Sequence, residues 1–125
     1  MSKVHEFSTA IYPRKLWITR GATRLYMKDI FEEPDGGELK FGKWSDAFAY
    51  NVQKKSTLDY GVLIWFEDIK AMTTSNIAHE SVHAALEIFN DLGCNVDADN
   101  QEPFAYLVGW IADCIDQVKK NKFKD

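Results

Sequence analysis

The chain lacks most of the features that would assign it quickly. Two cysteines in 125 residues are too few for a disulfide framework, and Cys94 and Cys114 form no C-x-x-C pair, so reduced thiols are expected. There is no basic excess: 15 Lys and Arg stand against 19 Asp and Glu, a formal net charge of −4. Nucleic acid is therefore not the expected partner. The one cationic cluster, "KKNKFK" (119 to 124), ends the chain, where positive charge suits the carbonyl end of a helix. Long apolar runs are missing too. The longest, "YGVLIWF" (60 to 66), falls far short of the roughly 20 residues of a membrane span, and "MSKVHEFSTA" at the start has no apolar signal region. A soluble, cytoplasmic protein without a membrane partner is expected. No repeat, low-complexity segment or linker interrupts the sequence.

What is present is enough for one core. With 46% hydrophobic and 14% aromatic residues, the chain reads as a single domain, 1–125. "AIYPRKLWIT" (10 to 19) suits a strand beginning after Pro13, and "TRLYMKDIFE" (23 to 32) reads as a short helix. "EEPDGG" (32 to 37) is a turn or loop. "AFAYNVQKK" (47 to 55) alternates, "YGVLIWFED" (60 to 68) is nearly continuous in β-branched and aromatic residues, and "STLD" between them predicts an antiparallel hairpin. The second half is helical. "TTSN" (73 to 76) offers N-caps for a helix running to Leu92, with Gly93 free to adopt positive φ after it. Asp99 or Asn100 can cap a second helix from about Gln101 to Lys120, with Pro103 tolerated in its first turn. The expected fold is α+β: a small antiparallel sheet packed on two helices.

The first of those helices carries "IAHESVHAAL" (77 to 86), an H-E-x-x-H pattern. At about 100° per residue, His79 at zero places His83 near 40°, Glu80 near 100°, Glu87 near 80° and Asn90 near 20°. Ile77, Val82, Ala84, Ala85, Ile88, Phe89 and Leu92 fall on a separate, apolar arc. Two imidazoles one turn apart can hold one metal ion, and Glu80 lies beside them to take a proton from a water that the metal has acidified. A catalytic zinc normally has a third protein ligand. Glu102, 19 residues after His83 at the start of the next helix, is the candidate, and shares a stripe with Tyr106, Gly109 and Asp113. Tyr106 would donate to a developing oxyanion. Gly109 would let the two helices approach closely. The competing readings are a surface role for the histidines and a D-x-x-E capping box at "DNQE" (99 to 102) that makes Glu102 a cap. Asp113, Asp99, Asp97 and His5 are rival ligands. Glu87 could orient a histidine. Cys94 and Cys114 read as buried small hydrophobes.

With those residues in view, the sequence resembles a gluzincin-type zinc peptidase. "IAHESVHAAL" together with "NQEPFAYLVGWIADC" (100 to 114) also resembles small proteins of phages and prophages of gut bacteria, most specifically over residues 77 to 114. The resemblance implies zinc held by His79, His83 and Glu102, with Glu80 as general acid/base. The expectation is a small zinc metallopeptidase acting on a peptide or protein, in the bacterial host cytoplasm if phage-encoded. A non-catalytic, metal-stabilised phage binding module is the alternative, and a metal-free structural phage component a third. This chain is shorter than the full-size zincins, which carry a second lobe.

Overall fold

The computed structural model describes residues 3–42 and 45–121. Strands β1 (Val4–Ser8) and β2 (Lys15–Arg20) lead to a short helix, α1 (Arg24–Ile30), and a two-residue strand, β3 (Phe31–Glu32). Strands β4 (Ala47–Lys54) and β5 (Tyr60–Phe66) follow, then a single 3₁₀ turn (Ile69–Ala71) and two long helices, α2 (Thr74–Asp91) and α3 (Glu102–Lys120). The α+β class is as the sequence indicates. Of the cationic cluster at the end, residues 122 to 124 lie outside the described residues.

The five strands form one sheet in the order β1-β2-β5-β4-β3. It is mixed rather than antiparallel, because β2 and β5 run parallel, Leu16 beside Val62 and Ile18 beside Ile64, while every other pair is antiparallel. That position explains the nearly unbroken apolar run of β5. A central strand covered on both faces has no solvent side to supply polar alternation. Gly61 marks the closest approach at this seam, for a Cβ there would lie 2.1 Å from the Lys15 carbonyl oxygen.

Each face of the sheet has its own core. On one, Leu16, Ile18, Val62, Ile64 and Phe66 meet Ala84, Ala85 and Ile88 of α2 and Ile111, Ile115 and Val118 of α3. On the other, Trp17, Leu63, Trp65 and Val52 pack against Met27 and Phe31 and against Leu39 from the loop after β3. Both buried indoles are satisfied: Trp17 Nε1 donates to Glu6 Oε1 and Trp65 Nε1 to the Ala22 carbonyl, each at 2.8 Å.

The ends of α2 are built as its sequence predicts. Thr73 Oγ1 accepts from the Asn76 N–H at 3.1 Å, and Gly93 turns left-handed (φ 72°) while the Cys94 N–H returns to the Phe89 carbonyl. At α3 the expected cap fails. Gln101, in helical conformation with no side-chain cap bond, precedes the helix, and Glu102 is its first residue. Asp97 and Asp99 instead shape the preceding turn, where the Asp99 N–H donates to Asp97 Oδ1. Phe104 meets Phe89 edge-on at 5.3 Å, so the start of α3 lies against the end of α2.

Candidate metal centre

The apolar arc of α2 is turned to the sheet except at Val82, which is 40% exposed and falls on the outward side, and His79 and His83 face solvent there. Their Nε2 atoms converge to 3.1 Å, with the ring planes inclined at 73°. A tetrahedral ion bonded to two imidazoles at the usual zinc distance sets its ligand nitrogens about 3.3 Å apart. The observed 3.1 Å is also the separation of a hydrogen bond between the two rings, which a shared ion would replace.

Glu80 lies at the boundary between this outward pair and the core. Only 5% of it is exposed, its oxygens are not among the polar atoms sealed without a partner, and the charges that act on it are those of His79, His83 and Asp46. Burial pushes its carboxyl above the ordinary range, the histidines pull it down and Asp46 adds to the rise, the net shift being upward. A carboxylate held in this way is a readier proton acceptor than one in water. Ser81, the next residue, has a buried hydroxyl without a partner.

Sequence reading missed the polar frame around Glu80. Asn76 Nδ2 bonds both Asp46 Oδ2 (3.3 Å) and the Ala71 carbonyl (2.8 Å), fixing Asp46 beside the first turn of α2. Asn51 of β4 donates to Glu87 Oε2 at 2.9 Å. Glu87 therefore ties α2 to the sheet and does not orient a histidine. The available signal was the alternation in "AFAYN" (47 to 51). It turns Ala47, Ala49 and Asn51 to the helix side, two small residues and an amide where bulky side chains would be expected.

Glu102 and Tyr106 are elsewhere. They line a groove of about 660 Å³ with residues 9 to 12 of the β1–β2 turn, and Tyr12 of that turn packs on Phe89. The groove thus belongs to the C-terminal end of α2. At about 1.5 Å per residue, Phe89 is roughly 9 Å along the axis from His83 and 15 Å from His79. The stripe of Glu102, Tyr106, Gly109 and Asp113 faces solvent instead of crossing a cleft to the histidines. Gly109 looks into open space, so its small size serves no close approach. Tyr106 is 73% exposed. The rival ligands are no nearer: Asp113 and His5 share a different groove, between β1 and α3. Among the described residues no group of three or more His, Cys, Asp and Glu side chains is gathered for a metal. Cys94 is exposed, against expectation, while Cys114 is buried, its thiol pushed up to about 12 by burial and then by the Asp113 charge.

Compared with family models, curated proteins and solved structures, the chain matches none of them. Among the described residues no helix is long and apolar enough to cross a membrane.

Proposed function

We propose that the protein is a small metal-dependent hydrolase of peptide bonds, with His79 and His83 as the metal ligands and Glu80 as general acid/base. One observation carries the reading: two outward imidazoles converging to 3.1 Å on the same helical turns as a largely buried carboxylate on which their charges act. A largely buried carboxylate whose proton affinity burial raises, next to candidate ligands, is suited to proton transfer. Zinc or a similar divalent ion bound there would polarise a carbonyl and lower the pKa of water to about 7. Glu80 would be the residue that takes up a proton from the attacking water and hands it to the departing amine. Glu102 and Tyr106 have no part in this assignment.

What supports a peptide as substrate is the edge of β4. Strand β3 pairs only with Gln53 and Lys54, which leaves Ala47–Val52 without a strand neighbour on that side among the described residues. An extended peptide adds naturally to such an edge. The edge runs beside the helix flank that carries Glu80, as the Asn51–Glu87 and Asp46–Asn76 bonds show.

The test separates binding from turnover. Elemental analysis should find zinc in the wild type and in Glu80→Gln, and little in His79→Ala/His83→Ala. Cleavage of a mixed peptide library, read by mass spectrometry, should be lost in Glu80→Gln although its zinc is retained. Undiminished cleavage by Glu80→Gln, or equal negligible zinc in all three, removes the proposal.

A further inference from the structure

On the wheel of α2, the outward arc holds Ser75, His79, Val82, His83, Leu86 and Asn90, all exposed and none bearing a formal charge with histidine neutral. In a chain that is 27% charged, such a face is unusual. Two of its members are aliphatic and open to solvent, Val82 at 40% and Leu86 at 42%. The positions 75, 79, 82 and 86 follow the 4-3-4 spacing of a seam between paired helices. Within one chain, however, no third ligand among the described residues joins the two imidazoles. We infer that the missing ligands come from a second copy: two chains pack their α2 faces antiparallel about a two-fold axis and share one zinc-class ion through His79 and His83 of each.

The face is self-complementary in the way a two-fold contact requires. An axis level with residue 81, midway between the histidines, brings four imidazoles to a single point, the number that closes a tetrahedral site. The same operation sets Leu86 of each chain over the small Ser75 end of the other, and the two Val82 side chains near the axis. Flanking carboxylates lie to the side: Glu80 beside its histidines and Glu87 on Asn51. Six side chains are far fewer than the roughly 20–30 residues per partner of a standard interface, so the ion must hold most of the contact together. Association therefore depends on metal.

This inference rests on the reading of His79 and His83 as ligands and adds a form of regulation to it. Four protein ligands leave no position for water. The shared form is closed, and the single chain is the open one.

The experiment is sedimentation velocity on the full chain, with and without zinc chloride, together with zinc titration calorimetry. The expected result is a chain of 14.4 kDa without zinc and twice that mass with it, at half an ion per chain, reversed by a chelator. Leu86→Lys, which keeps both imidazoles, should still double with zinc but only at about tenfold higher protein concentration, and doubling unchanged from wild type would place the contact away from this face. His83→Ala should lose the doubling and most of the binding. One ion per wild-type chain at unchanged mass overturns the inference and leaves the hydrolase reading standing. Doubling that persists in His79→Ala/His83→Ala, or without zinc, overturns it as well, and an absence of zinc binding removes both readings.

Discussion

Helices α2 and α3 lie side by side on the same face of the sheet, yet their buried surfaces differ in kind. That of α3 is Leu107, Ile111, Cys114, Ile115 and Val118, without a charged or hydroxylic side chain. That of α2 includes Glu80 and Ser81, the latter with its hydroxyl unpartnered, among Ala84, Ala85, Ile88 and Phe89. Stability alone explains the first set. The second departs from it at the turn that carries the histidines, and polarity kept inside a packed surface against its desolvation cost points to chemistry. In this pair α3 acts as the scaffold and α2 as the working element.

The sharpest break of that contrast is at the centre of α3. Ile111→Ala should destabilise the fold by about 3–4 kcal/mol in denaturant unfolding, since a fully buried side chain leaves a cavity between helix and sheet. It should leave metal affinity nearly unchanged. Next in size, His79→Ala/His83→Ala should weaken zinc binding by more than about 100-fold in calorimetry, because both ligands go and outer partners alone are worth about 10–100-fold. Glu102→Gln should stay within about threefold, and a loss as large as that of the histidines would return Glu102 to the site. Glu80→Met sharpens the contrast in the opposite sense. Replacing a largely buried carboxylate by an apolar side chain of similar length should stabilise the metal-free protein by about 1 kcal/mol, while activity disappears. A destabilised Glu80→Met would mean that the carboxylate serves the fold. Smallest of all, Tyr106→Ala should shift stability by no more than about 0.5 kcal/mol, as expected for a side chain already in solvent.

Much of the fold was legible from periodicity. The boundaries of α2, with its Thr73 cap and Gly93 exit, and the β4–β5 pairing follow from local pattern, because caps, turns and alternation act over a few residues. Strand β1 was not read, and the parallel pairing of β2 with β5 joins residues more than 40 positions apart, for which no local signal exists. The site divides in the same way. His79, Glu80 and His83 share one helix, so the wheel fixed their mutual placement. Glu102 required knowledge of a second helix, its axial level and its rotation. The wheel supplies the angle of a residue about its own axis and nothing of where the neighbouring axis lies. Asp46, whose charge acts on Glu80, and Asn51, which bonds Glu87, come from β4 and the segment before it and meet α2 only through the tertiary fold.

The place of β5 at the middle of the sheet has a kinetic consequence. β1 with β2, and β3 with β4, form two ribbons that share no strand pairing of their own, and only the fifth strand joins them. A nascent chain that has not yet reached Phe66 holds two open-edged ribbons, each with one face lacking its long helices. Closing the sheet must therefore wait for a late, long-range docking event, the kind of step that slows folding in proportion to the chain it has to loop out.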